Sequence, residues 1–202
     1  MKLSILRYGD RVLRAKGKRI EQVDDRIREL ATNMLETMHA ANGIGLAAQQ
    51  IGQPLQLTVI DISQVEDRPS TMKLNGREID PKTAMPLVLI NPALELRGSE
   101  TEVGVEGCLS FPEISGEIER AQSVLARAQT LNGAIEFEAG GLLARALQHE
   151  VDHLNGILFI DRMNSAARAA LSGQLKRLQK EAKRGQRIRA KDRQFEPSET
   201  AM

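Results

Sequence analysis

His149 and His153 stand four residues apart in Gln148-His149-Glu150-Val151-Asp152-His153-Leu154, and two of the chain's three histidines are here. Four residues advance a helix slightly more than one turn, so both imidazoles share a face and can reach one ion. Glu150 would lie beside that ion as a ready proton acceptor, the chemistry of a His-Glu-x-x-His metallohydrolase. A polar His pair on a solvated helix face is the competing reading, and the remaining ligand decides between them.

One extended pattern takes its third ligand from a His six residues after the second. Here Gly156 falls on that pattern's glycine, but the ligand position is Phe159, which cannot bind a metal. A downstream Glu is another source, and Glu181 lies in range. It sits in a Lys/Arg-rich helical run, where a surface pair is expected instead. The only cysteine, Cys108 in Glu106-Gly107-Cys108-Leu109-Ser110, supplies a strong thiolate donor. One Cys and two His with a fourth position left for water make a catalytic rather than a structural layout.

A second segment with chemical potential is Gly43-Ile44-Gly45-Leu46-Ala47-Ala48-Gln49-Gln50. It is no dinucleotide fingerprint, since no strand precedes it and Ala48 takes the third glycine position. Small residues suit either a tight turn or a loop whose backbone approaches a ligand. Gln50 offers a side-chain N–H to developing negative charge.

The elements that carry these residues read as α+β. Asp24 to Asn42 predicts a first helix, with Ile27, Leu30, Ala31, Met34, Leu35 and Met38 at helical spacing. His39 belongs to its exposed end, and Asp24 or Asp25 to its start. Leu55–Ile62 and Leu87–Asn91 read as strands. Between them the polar stretch 63–86 reads as a surface excursion, with a small hairpin turning at Asn75-Gly76. Ser123–Leu131 and Ile135–Glu138 predict a hairpin across Asn132-Gly133. Gly140-Gly141 opens the helix bearing the His pair, and Asn155-Gly156 closes it. The expected architecture is antiparallel β-sheets packed around a central metal-binding helix, plus a C-terminal helix.

The chain has 202 residues and a formal net charge of +1, so one main core is expected and no field for nucleic acid. One cysteine fits a reducing compartment, and no signal peptide or membrane span is evident, which predicts a cytoplasmic protein. Two parts are expected: a catalytic unit over 1–163, including the 63–86 excursion, and a basic helix with a frayed end over 164–202. From Arg162 to Arg193 there are 11 Lys/Arg against Glu181 and Asp192, a balance of +9. Such a segment is either a solvated helix that packs by its first half or a dock for a phosphate-rich surface.

GIGLAAQQ, EGCLS and QHEVDHLNG, in this order, resemble the three signature motifs of the peptide deformylase family. They cover about 22 residues, and further similarity runs from the N-terminus through Met163. The resemblance implies Cys108, His149 and His153 as metal ligands and Glu150 as catalytic acid/base. It implies Gln50 and the backbone N–H of Leu109 as stabilisers of the oxyanion. Arg120 and Asp152 resemble a pair that stands behind the ligands and orients them. Ile44, Glu106, Leu142 and Ala146 fall where the family builds its methionine pocket, and Gly45 and Gly107 where the peptide backbone is held. Arg145 also falls among the pocket positions, a large charge in an apolar wall. The implied activity is hydrolysis of the formyl group from the initiator methionine of nascent polypeptides. The implied ion is Fe2+, with Zn2+, Ni2+ or Co2+ able to substitute. The excursion and the basic tail depart from the shortest family members and bear on partners: docking at the ribosome, and monomer against dimer. A zinc endopeptidase and a non-enzymatic ribosome-associated module are the alternatives.

Overall fold

The structure, a computed structural model, describes residues 1–194, with side chains described through 185. Its helices are α1 (Asp25–Ala40), α2 (Gly141–Leu154), α3 (Ser165–Ala170) and α4 (Ser172–Gln194). Its strands are β1 (Gly45–Ala47), β2 (Leu57–Ile60), β3 (Ser70–Leu74), β4 (Arg77–Ile79), β5 (Leu87–Gly107), β6 (Ser115–Thr130) and β7 (Gly133–Gly140). The strands form one antiparallel sheet in the order β1-β2-β5-β6-β7-β3-β4. The α+β class expected from the sequence is therefore what the chain adopts.

α1 begins where Asp24 accepts a hydrogen bond from the Ile27 N–H at 2.9 Å, the capping expected of an Asp. It buries Met34 and Met38 against Leu46, Leu57, Val59 and Ile90. α2 lies across the sheet, touching β1, β2, β3, β5, β6 and β7. Leu143 and Leu147 pack there with Leu89, Val124 and Phe137. Burying that apolar area, at about 25 cal/mol per Å2, fixes where the helix face ends and so where its histidines point.

The sheet departs from the sequence reading in three places. β5 runs to Gly107, far beyond Asn91, and β6 starts at Ser115, eight residues before Ser123; the two pair over almost their whole length. The tight turn between β6 and β7 is Leu131-Asn132, with Gly133 already paired to Thr130. The 63–86 stretch is more than an excursion. Its hairpin turns at Asn75 and Gly76, both at positive φ, but β3 pairs with β7 and buries Met72 in the core under α2.

The C-terminal segment packs by its first half. Leu175 and Leu178 of α4 are buried with Leu13, Phe111, Phe159 and Ile160, while Lys176, Lys180, Lys183 and Arg184 are exposed. The stretch Phe195–Met202, read as a frayed end, lies outside the described residues. Among the described residues no helix is long and apolar enough to cross a membrane.

Candidate active site and metal centre

Three chemically capable atoms meet where α2 passes the end of β5. The donor atoms of Cys108, His149 and His153 all lie within 4.8 Å of one another. Cys108 follows directly on β5, so the strand carries the sulfur to the helix. Cys108 Sγ is 3.3 Å from His153 Nε2. His153 is buried and His149 half-buried on one face of α2, ring centroids 4.9 Å apart. Phe159, at the ligand position of the extended pattern, instead stacks on His149 at 6.2 Å. Glu181 pairs with Arg7 and Arg177 on the surface, and His39 with Asp61 at 2.9 Å.

Glu106 stands behind His149. Its Oε2 accepts from His149 Nδ1 at 2.9 Å, which leaves His149 Nε2 with its lone pair free for an ion. Burial alone would raise the Glu106 carboxyl, but hydrogen bonds from His149 and Arg120 overcome it and bring it down to about 2. Arg120 forks onto both Glu106 oxygens at 2.9 and 3.0 Å and reaches Asp152 at 2.5 Å. Arg162 continues the chain onto Asp152 at 2.7 Å. Buried ion pairs persist only when every charge is compensated, and here each carboxylate has at least two cationic donors.

Glu150 lies on the other side. It is buried, and that desolvation lifts its carboxyl from 4.5 to about 7, with Thr58 pulling it back. Thr58 Oγ1 shares its one proton between the Leu46 carbonyl at 3.0 Å and Glu150 Oε2 at 3.4 Å. Gly45 leaves room for this carboxylate: a Cβ there would fall on Glu150 Oε1. His153 is pushed well below its ordinary value by burial and by His149, which holds it neutral, as a ligand must be.

Gln50 is buried in the short 3-10 turn Ala48–Ile51 that follows β1. Its Oε1 accepts from the Ala47 N–H at 2.8 Å, so the amide is oriented with Nε2 toward Ser110 Oγ (3.2 Å) and Cys108 Sγ (3.4 Å). Gln50, Glu106, Cys108, His149 and Glu150 border one cleft of about 630 Å3, lined also by Ile44, Gly45, Gly107, Leu109, Leu142 and Ala146. The small-residue segment is thus an edge strand and a helical turn at a cleft wall, beyond a simple turn between elements.

The profile of the polypeptide deformylase family matches residues 2–169. The chain belongs to that family. Its activity is that of the family, removal of the N-formyl group from nascent peptides. A peptide deformylase of Opitutus terrae is 46% identical over 183 residues, covering 89% of this chain and 94% of its own. Peptide deformylase 2 of Gloeobacter violaceus is 44% identical, with 86% and 84% covered. Among solved structures, a plant peptide deformylase superposes with a TM-score of 0.76 at 35% identity, over 91% of this chain and 92% of its own. The Synechococcus elongatus peptide deformylase in complex with actinonin gives 0.70 at 40% identity, over 89% and 86%.

For a deformylase the donor set fits a divalent transition ion. One sulfur and two imidazoles gathered within 4.8 Å of one another are a donor set that would hold such an ion. Glu106 fixes the tautomer that such a centre needs. Arg145 does not stand in the cleft as a free charge. It borders the cleft but is only 4% exposed, and its Nη1 donates to Glu106 Oε1 at 3.0 Å. Sequence reasoning missed Thr58 and Ser110 as neighbours of Glu150 and Gln50. A lone Thr in the otherwise apolar Leu57-Thr58-Val59-Ile60, buried throughout, was the available signal.

Proposed function

We propose that this chain deformylates the initiator methionine of nascent polypeptides with Cys108, His149 and His153 as metal ligands and Glu150 as acid/base. The convergence of those three donors beside a cleft that Cys108 and His149 share with Glu150 and Gln50 supports this assignment. A divalent ion held there supplies a Lewis acid that brings the pKa of water toward about 7. Glu150 accepts a proton from the attacking water and returns it to the amine nitrogen as the C–N bond breaks, releasing formate. Gln50 Nε2 and the Leu109 N–H donate to the formyl oxygen as it becomes charged. Ile44, Leu142 and Ala146 form the apolar wall for the methionine side chain. Glu106 contributes to that wall while its carboxylate is occupied behind it, and Arg120 with Asp152 keeps it there. Gly45 and Gly107 hold the peptide backbone.

Formate release from a formyl-Met peptide and from its acetyl analogue tests the activity. The added methyl should abolish turnover; comparable rates, or cleavage at internal amides, would favour the endopeptidase. Membership of the family leads us to assign Fe2+ as the resident ion; thiolate and imidazole donors alone accept Zn2+, Ni2+ or Co2+ as well. Anaerobic purification with elemental analysis decides this.

We further assign 1–163 as the catalytic unit and 164–202 as a basic appendage that docks at the ribosome, in the cytoplasm where nascent chains emerge. Truncation would strip Leu175 and Leu178 from the core, so the test is Gln substitution of exposed Lys176, Lys180, Lys183 and Arg184. Unchanged co-sedimentation with ribosomes rejects docking.

A further inference from the structure

We infer that Arg145 is a positioning residue for the metal centre, acting through Glu106; this rests on His149 being a metal ligand. Arg145 and His149 are four residues apart on α2, so they occupy the same face one turn from each other. Both aim at one carboxylate. Arg145 Nη1 reaches Glu106 Oε1 at 3.0 Å, and His149 Nδ1 reaches Oε2 at 2.9 Å. Arg120 touches both oxygens, so each Glu106 oxygen receives two donors and no lone pair is left to turn elsewhere.

The two arginines are not equivalent. Arg120 is shared with Asp152 at 2.5 Å, so its guanidinium answers to two carboxylates. Arg145 has Glu106 as its one carboxylate partner among the described residues. Its other bonds go to backbone carbonyls of the strand pair: Glu102 O at 2.7 Å, Ile118 O at 2.8 Å and Gly104 O at 3.4 Å. Its position is therefore set by β5 and β6, and it transmits that frame to Glu106. Without it, the carboxylate is free to follow the Arg120 fork, and the His149 N–H loses a fixed acceptor.

Gly104 supplies an independent handle. A Cβ there would lie 2.9 Å from the Arg145 Cζ and Nη2, closer than real Cβ contacts allow. An alanine at this site displaces the guanidinium without deleting it. A substrate-reading role does not fit: the side chain is 5% exposed, and its Nη1 and Nη2 donate to protein acceptors.

The test is Co2+ titration of apo-protein, followed by visible absorption, with thermal unfolding recorded in parallel. Removing a group that orients a metal ligand typically weakens binding about 10- to 100-fold, and Arg145→Met should do so with a changed Co2+ spectrum. Arg145→Lys, which keeps one donor for Glu106, should recover most of the affinity. In a Glu106→Gln background, Arg145→Met should add about twofold or less, because coupled residues are not additive. Wild-type affinity and spectrum in Arg145→Met, however low its unfolding temperature, overturn the proposal. Should that variant not fold, the same result in Gly104→Ala overturns it. A full additional loss in the Glu106→Gln background also overturns it. A wild-type chain that binds no Co2+ removes this proposal together with the metal assignment beneath it.

Discussion

Glu106 Oε2 and His149 Nδ1 are 2.9 Å apart, and this contact joins the long β5–β6 pair to the helix that carries both histidines. Because Glu106 is the last inward residue of β5 and Cys108 follows two positions later, one strand end both orients His149 and supplies the sulfur that meets it. Register between β5 and β6 therefore bears directly on the geometry of the metal site.

Replacing Glu106 by Gln keeps an acceptor but strips the charge that two arginines face. Breaking a buried ion pair from one side typically costs about 3–5 kcal/mol, so a loss of that order is expected in urea unfolding at pH 7. The folded carboxyl titrates at about 2 against 4.5 when unfolded. Its stabilisation is thus complete above pH 4.5 and disappears as pH falls toward 2. The linkage amounts to about 3 kcal/mol, and wild-type unfolding free energy measured from pH 6 to pH 3 should fall more steeply than that of Glu106→Gln.

Thr58→Val removes a hydrogen bond that lowers Glu150 against the larger upward push of burial. The Glu150 carboxyl should rise further, so the proton acceptor is ionised only at higher pH. The acid limb of the kcat/KM profile is expected to move up while metal content stays at the wild-type level. A profile that does not move would mean the hydroxyl serves Leu46 alone.

Gln50→Ala deletes an amide whose direction is fixed by the Ala47 N–H and Ser110. The variant should keep its metal and lose about 100- to 1,000-fold in kcat, as for other lost oxyanion donors. Near-normal turnover would remove Gln50 from the reaction. Loss of metal would instead assign its amide to supporting the Cys108 sulfur.

The grouping of Cys108 with His149 and His153 was legible because residue type points to it: one Cys, a His pair at helical spacing, and few competing donors. The helices and both Gly-containing hairpins were legible from periodicity and turn chemistry. What stayed hidden is the reach of β5 and β6, and the reason is an inverted pattern. Val103 and Val105 are about 60% exposed while Glu106 and Arg120 are 6% and 5% exposed, so the charged residues face in. Alternation read by hydropathy points such strands the wrong way or misses them. Arg145 misled for the same reason: an arginine in an apolar helix face reads as a flaw in a pocket wall until its carboxylate partner, 39 positions away, is brought beside it. Met72 in the 63–86 stretch was too isolated an apolar residue to betray that β3 extends the sheet.

Gly45→Ala provides the sharpest separation of site from scaffold. The glycine sits in β1, paired with Ile60 of β2, in a backbone conformation open to any residue. An alanine there meets no backbone obstacle, but its methyl would occupy the place of Glu150 Oε1. Overpacking of this kind costs about 1–3 kcal/mol, which leaves the chain folded at 25 °C by circular dichroism. Glu150 must rotate or the edge strand must move outward, and either one takes the carboxylate out of line with the attacking water. Turnover should fall by at least about 100-fold, the usual contribution of a positioned acid/base, with metal content retained. If Gly45→Ala keeps full activity, Glu150 has freedom to act from another rotamer, and the tight approach of β1 to α2 contributes packing alone.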